Sequence, residues 1–326
     1  MSSPGSAVLV LTHWFDPTAD MVIEQLNKRE FPVYRVDPGD LPDRLMVTGE
    51  LSPAGFTTTL QLPDRTLRLA HVGCAWYRRP TAFRLPPDLS DGDRRWATTE
   101  ARAAVGGLIQ LVPRWLNHPA AIGRAEYKPR QLHAARRLGL NVPATLITND
   151  PRRAAQFAAE QGGSVVYKPL ASPLLADPDG EPAIVYTTPV TTEQVAGKGV
   201  RITPHLFQQR IPKDHELRIT YLDGACHTAR IDTDSPRAAE DWRADRDHVR
   251  YQRAELPADI ADSIGALAEA LGLRYAAVDM IVDPDGRYWL LEVNPNGQFG
   301  FVEHATGIPL SAAIADALTT PATPGK

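Results

Sequence analysis

The stretch Leu291-Glu292-Val293-Asn294-Pro295-Asn296 is where side-chain types and spacing point most directly to chemistry. Side chains alternate along a strand with a period of two, so Glu292 and Asn294 share a face. Asp279 lies in a second apolar segment, and a two-residue loop at Asp285-Gly286 sets it directly across from Glu292. Two carboxylates facing each other at ~5 Å repel unless a cation sits between them. Oxygen donors with no Cys or His among them favour Mg2+ over zinc, so Asp279, Glu292 and Asn294 form the candidate metal set. A solvated pair of acidic strands is the plainer alternative. Val278, Met280, Leu290, Leu291 and Val293 argue against it, because they make the sheet a buried one.

Mg2+ held by carboxylates usually accompanies a phosphate-bearing substrate, which needs cations of its own. Lys168 ends the apolar strand Ser164-Val165-Val166-Tyr167 just before Pro169, and Lys128 stands early in a helix. Arg218, Arg230 and Arg243 are further candidates. The Asp223-Gly224 turn leaves the first two open. A two-residue loop puts Arg218 and Arg230 on opposite faces, and a three-residue loop with a bulge sets them opposite each other. The chain has no Walker loop, no Gly-x-Gly-x-x-Gly after a strand and no Gly-x-Ser-x-Gly elbow.

The elements that must position these residues read as α/β. Ala7 to Thr12 is a continuous apolar run, Met21 to Leu26 has helical spacing, and Phe31 to Val36 is a second strand, which together make a βαβ unit and a parallel sheet. Further strands are expected near Thr57 to Leu62 and Cys74 to Tyr77, and a long helix from Asp91 to Leu111 behind the Ser90 cap. Beyond a junction at Arg114 to Pro119, one helix should run from Arg124 to Leu138, closed by Gly139. Ala171 to Pro182 is a loop by composition, and its Leu174 and Leu175 could dock as a lid does. The last third is dominated by two hairpins, His215 to Ile231 and Tyr275 to Val293, with an amphipathic helix from Pro257 to Leu271 between them.

Composition removes other classes. The 326 residues are 43% hydrophobic with a net charge of -4, which fits a packed protein and not a nucleic-acid coat. Between Arg78 and Arg137, however, twelve Lys and Arg stand against five Asp and Glu, enough to attract an anionic ligand. Only Cys74 and Cys226 occur, so a disulfide framework is not expected and a reducing cytoplasm is. Neither a signal peptide nor an apolar run of the ~20 residues needed to cross a membrane is seen.

Taken in order, Lys128, Lys168, Phe207-Gln208-Gln209-Arg210-Ile211, Glu216-Leu217-Arg218, Asp241-Trp242-Arg243, Asp279 and Glu292-Val293-Asn294-Pro295 resemble the ATP-grasp superfamily. More narrowly, LTHWFDPTAD at 11–20, WYRRPTAF at 76–83, KDHELRITYLDG at 213–224 and LLEVNPNGQFG at 290–300 look like the actinobacterial branch of the ATP-grasp maturases that make graspetides. The resemblance implies an N-terminal pre-ATP-grasp domain (1–117) and two subdomains (118–204 and 205–326) holding ATP between two sheets. It further implies that Lys128 and Lys168 contact phosphates and that Gln209, Arg210 and Ile211 form the adenine hinge. Glu216 takes the ribose position, Arg243, Arg218 and Arg230 reach the transferring phosphoryl group, and Asp279, Glu292 and Asn294 hold Mg2+. One departure stands out: the loop after Lys168 carries only Gly180 where many relatives are glycine-rich.

The chemistry so implied is carboxylate activation. ATP would phosphorylate an Asp or Glu side chain of a ribosomal precursor peptide, and a Ser or Thr hydroxyl or a Lys amine would close an ester or amide ring. Asp214, His215 and Glu240 are the general-base candidates. The implied partner is that precursor, a leader followed by an acidic Thr/Glu-rich core, with Arg78 and Arg79 placed to attract its carboxylates. A homodimer is the candidate assembly, and neither nucleic acid nor membrane is expected. Two rivals keep the same nucleotide residues or lose the chemistry: a ligase adding a free amino acid to a peptide tail, and a catalytically idle peptide-binding scaffold.

Overall fold

The computed structural model describes residues 6–171, 174–175 and 183–320. β1 (Ala7–Leu11), α1 (Pro17–Lys28) and β2 (Val33–Val36) form the expected parallel βαβ unit. β1 is buried throughout, as its unbroken apolar run requires, and Asp16 caps α1 by accepting from the Ala19 amide at 3.2 Å. β3 (Met46–Ser52), β4 (Gly55–Gln61) and β5 (Thr66–Arg68) make a separate antiparallel sheet before β6 (Val72–Tyr77) returns beside β1, giving the order β2-β1-β6. α2 (Asp91–Ile109) starts at the Ser90 cap, as the sequence predicts.

The single helix expected from Arg124 to Leu138 is two: α3 (Pro119–Ala125) and α4 (Lys128–Arg137). Pro129 explains the break. Within one continuous helix its ring would collide with the Ala125 carbonyl four residues back, whereas in the first turn of a new helix it costs nothing.

β7 (Thr145–Thr148), α5 (Pro151–Glu160), β8 (Val165–Lys168), β9 (Leu174–Leu175), β10 (Ala183–Ile184), β11 (Thr188–Val190), α6 (Thr192–Val195) and β12 (His205–Gln209) follow. They build an antiparallel sheet of order β11-β8-β12-β7, with its own core of Ala154, Phe157, Val165, Val195 and Phe207. β9 and β10 pair with each other, while residues 172–173 and 176–182 of the expected lid loop, Gly180 included, lie outside the described residues.

β13 (His215–Leu222), β14 (Ala225–Thr233), α7 (Pro236–Glu240), β15 (Val249–Ala254), α8 (Ala258–Leu271), β16 (Tyr275–Val282) and β17 (Tyr288–Asn294) complete a second antiparallel sheet of order β15-β14-β13-β16-β17. α9 (Gly300–Thr306) and α10 (Leu310–Thr319) fold back onto the N-terminal sheet, where Phe299, Leu310 and Ile314 share a core with Val8, Val10 and Leu26.

Two expected boundaries move. β12 belongs to the central sheet, so the change of sheet falls between Gln209 and His215 and not at 204. α3 and α4 contribute Ala125 and Ala135 to the core under the large sheet, so the small lobe begins after Leu140 and not at 118. Asn117 lies at the expected join. Buried, it donates to the carbonyls of Tyr275 and Pro295 at 2.7 and 2.9 Å and accepts from the amides of Arg274 and Tyr275 at 2.9 and 3.1 Å. A buried amide with all four capacities used ties the N-terminal unit to the large sheet.

Candidate active site

Asp279 faces Glu292, but not by the turn that the sequence suggests. The loop spans Asp283 to Arg287, with Val282 opposite Tyr288, because the Asp283 carboxylate gathers the Asp285 and Arg287 amides at 3.0 and 2.9 Å and the Trp289 indole at 2.9 Å. A one-residue register shift at Leu291 then restores the facing pair, so a bulge and not a tight turn aims Glu292.

Around this pair the charges are closely matched. Asp279 Oδ1 accepts from Arg218 Nη1 at 2.8 Å, and Lys128 Nζ is bonded to Glu292. The Asn294 amide nitrogen lies between the two acids, 3.3 Å from Asp279 Oδ2 and 3.0 Å from Glu292 Oε1. Burial pushes Asp279 up, with Glu292 adding to that push and Arg218 opposing it. Burial also pushes Glu292 up, but Lys128, Asn294 and Arg243 together outweigh it and hold this carboxyl well below the usual range. The pair thus keeps Glu292 ionised and makes Asp279 the harder of the two to ionise.

The donor chemistry suits a hard divalent ion. Two carboxylates and one amide converge, and turning the Asn294 carboxamide over presents its oxygen where its nitrogen now stands. Among the described residues no group of three or more His, Cys, Asp and Glu side chains gathers to hold a metal. Oxygen donors of this kind suit Mg2+, which leaves coordination positions to water and phosphate oxygens.

What places Lys128 here is Gln131, a residue the sequence reading passed over. It lies one turn along α4, is 3% exposed, and donates to the carbonyls of Ala125 and Val293 at 2.6 and 2.7 Å while accepting from the Val293 amide at 3.0 Å. β17 is the last strand of its sheet, so Gln131 satisfies an edge that would otherwise be bare and docks α4 against it. A glutamine three residues after a candidate phosphate lysine was the signal available.

Lys168 comes from the other sheet. Among the described residues its amine forms no hydrogen bond or ion pair, and burial pulls that amine down to about 8 although Glu292, Glu216 and Asp241 favour the charged form. β12 sets Leu206 opposite Lys168 and Gln208 opposite Val166, so these four side chains share one face. Gln208 is 1% exposed with its Oε1 unpartnered. The hinge amides of Gln209 and Arg210 donate to Ala144 and Ser164 carbonyls at 2.8 and 3.0 Å, and Ile211 is buried. The Arg210 guanidinium is held by Glu240.

Glu216 is buried, which raises its carboxyl, and Lys213 Nζ donates to it at 2.6 Å. Arg243 grips both oxygens of Asp241 at 2.8 and 2.6 Å, and that pairing raises its own pKa. Asp279 and Glu292 also act on Arg243, which puts it beside the metal set.

Arg230 is not brought to this group. Asp223 at φ 45° and Gly224 at φ 96° make the tight two-residue turn, Arg218 pairs with Ala229, and Arg230 pairs with Leu217 on the face packed by α8. There it binds Asp232 at 2.8 Å and lies 3.6 Å from Asp214. His215 has the parity of Leu217, opposite to that of Asp279, and bonds Asp214 at 2.7 Å, while the Glu240 carboxylate is paired with Arg210. Arg78 does not present a free cation either: it is 0% exposed in a paired contact with Asp16 at 2.7 and 3.1 Å. Arg79 is exposed and has no ion-pair partner among the described residues.

Two antiparallel sheets, one offering a lysine and a hinge strand and the other carboxylates and arginines, make the site of an ATP-grasp ligase. The domain family described as MvdD pre-ATP grasp domain matches residues 7–123. The macrocyclase MdnC from Microcystis aeruginosa MRC, solved with its precursor peptide MdnA, is 32% identical over 96% of this chain and 99% of that one, at a TM-score of 0.85. A RiPP-associated ATP-grasp ligase from Chryseobacterium gregarium, solved with ADP and a leader and core peptide, is 28% identical over 96% of each chain, at 0.88. A probable alpha-L-glutamate ligase of Shewanella halifaxensis is 27% identical over 62% of this chain, and the match spans 43% of that relative's length. The chain belongs to the ATP-grasp ligases of ribosomal peptide maturation, the graspetide maturases. Among the described residues no helix is long and apolar enough to cross a membrane.

Proposed function

We propose that this protein is an ATP- and Mg2+-dependent peptide macrocyclase acting in the cytoplasm on a ribosomal precursor with an acidic, Thr/Glu-rich core. The observation that carries the reading is the Asp279–Asn294–Glu292 set with Lys168 nearby, its amine unpaired among the described residues, within a chain of this family. Lys168 and Lys128 hold the nucleotide phosphates, Glu216 the ribose, and the 209–211 strand the adenine edge. Asp279, Glu292 and Asn294 hold Mg2+, whose charge offsets that of the phosphates. Arg218 and Arg243 stabilise charge on the phosphoryl group as it passes to a core Asp or Glu side chain, and then on the tetrahedral oxyanion as a core hydroxyl or amine attacks. Arg79, exposed beside the buried Arg78, offers the incoming carboxylates a first contact.

The glutamate-ligase relatives favour a second reading, addition of a free amino acid to a peptide carboxylate. Mass spectrometry after incubation with ATP, Mg2+ and a candidate precursor separates the two. Loss of one water per ring supports macrocyclisation, a gain of one residue supports the ligase, and no change with retained peptide binding leaves only a scaffold.

A further inference from the structure

Gln298 lies four residues beyond the last metal-set residue and touches both halves of the molecule. Its backbone carbonyl accepts from Arg218 Nη2 at 2.9 Å. Its side-chain Oε1 accepts from Arg78 Nη2 at 3.0 Å and from the Thr18 hydroxyl, both in the N-terminal unit. We infer that Gln298, held by the Arg78–Asp16 pair, is a positioning residue that fixes Arg218 against Asp279, so that metal affinity depends on a contact supplied by the N-terminal unit. This rests on the metal-site reading above.

Arg218 is a buried guanidinium with two polar anchors, Asp279 and the Gln298 carbonyl, and its Nε has no partner. Losing one anchor leaves it free to rotate about the other, and Asp279 loses its fixed counter-charge. The peptide that carries the carbonyl is tightly seated. A Cβ at Gly297 would meet the Ala277 Cβ at 2.3 Å and Arg218 Nη2 at 2.8 Å, and the Gly297 carbonyl accepts from the Tyr275 hydroxyl at 2.6 Å. Phe299, on the other side, is fully buried against Tyr275. The Gln298 side chain ties this same peptide to the N-terminal unit through Thr18 and Arg78.

Arg78 itself is not arranged as a simple structural ion pair. Its Nη2 is shared between Asp16 and Gln298 while Nη1 is buried with no acceptor. Leaving a donor unmade costs stability. An unmet donor at Nη1 is what a guanidinium turned to hold Gln298 as well as Asp16 leaves behind.

The test measures binding of a fluorescent ATP analogue over a Mg2+ titration, together with the melting temperature. Gln298→Ala is expected to raise the Mg2+ concentration for half-maximal response roughly tenfold, the usual effect of removing a group that orients a metal ligand. Analogue binding in EDTA should stay at the wild-type level, and Gln298→Glu, which keeps an acceptor for Arg78, should restore most of the response. A lowered melting temperature with unchanged Mg2+ dependence overturns the inference. Thr18→Val, which removes one contact and keeps the fold, serves if Gln298→Ala does not fold, and must shift the Mg2+ dependence in the same direction. Asp279→Asn separates the two claims. If it leaves the Mg2+ dependence intact the metal-site reading fails, and if it alone alters that dependence only the role of Gln298 fails.

Discussion

The two sheets treat charge in opposite ways where Lys168 comes near Glu292, Glu216 and Asp241. Beside and on the large sheet the candidate site ions are already paired: Lys128 of α4 with Glu292, Arg218 with Asp279, Lys213 with Glu216, and Arg243 with Asp241. On the small sheet Lys168 has none among the described residues, and the buried Gln208 beside it has an unused oxygen. The large sheet is therefore preorganised, with dipoles and counter-charges fixed before any ligand arrives, which is how electrostatic catalysis avoids reorganisation at the moment of reaction. The small sheet is left incomplete, and an anion with a hydrogen-bond donor is what would complete it. ATP has both features.

The sharpest way to break this contrast is at Glu292. Glu292→Gln keeps the shape but leaves Lys128 facing a neutral group and removes one of the two carboxylates meant for the metal. Ring formation is expected to fall by roughly a thousandfold or more, several kcal/mol of lost transition-state stabilisation, while leader binding measured by calorimetry is unchanged. Full activity in this variant would sink the metal assignment and with it the view that the large sheet is the preorganised side.

Lys168 tests the other side. Burial pulls its amine down to about 8 where 10.5 is ordinary. Below about 8 both folded and unfolded chains are protonated, so the penalty for burying the charge is fully present. Between about 8 and 10.5 the unfolded chain binds the extra proton, so the contribution of this group to stability rises with pH. Nucleotide phosphates need the charged form, so affinity should weaken as pH rises through about 8, and binding above that pH should take up a proton. Calorimetry in buffers of different ionisation enthalpy measures that uptake. In Lys168→Met the uptake should vanish, with affinity roughly ten- to a hundredfold lower, the weight of a hydrogen bond to a charged group.

The sequence read the large sheet better than the small one, for physical reasons. Alternation along β17 put Glu292 and Asn294 on one face, but setting Asp279 across from Glu292 relied on the turn, and the observed loop shifts that register by one residue, breaking parity until the bulge at Leu291 restores it. The mechanism of the register was misread, since the Asp283 side chain and a bulge at Leu291 set it, and neither is visible as a loop length. The small lobe was harder. Its boundaries depend on which core α3, α4 and β12 join, a tertiary fact with no local signature. Gln131 and Gln298 were missed because a neutral amide carries no charge pattern, and its value lies in which backbone atoms it reaches.

The smallest expected effect separates the two faces of the large sheet itself. Arg218 and Arg230 sit on neighbouring strands, and a three-residue turn would have made them equals. The Asp223-Gly224 turn instead puts Arg218 on the carboxylate face and Arg230 behind the sheet, 32% exposed and paired with Asp232. A partly exposed ion pair of that kind contributes ~0–1 kcal/mol, so Arg230→Ala should change the ring-forming kcat/KM by no more than a few fold and leave the Mg2+ dependence unmoved. Arg218→Ala, which strips Asp279 of its buried counter-charge, should reduce the same rate far more. Equal losses from the two substitutions, measured as initial rates by mass spectrometry, would mean that the face assignment does not decide which arginine acts. A large loss from Arg218→Ala alone would show that one turn of fixed length determines which cation the site receives.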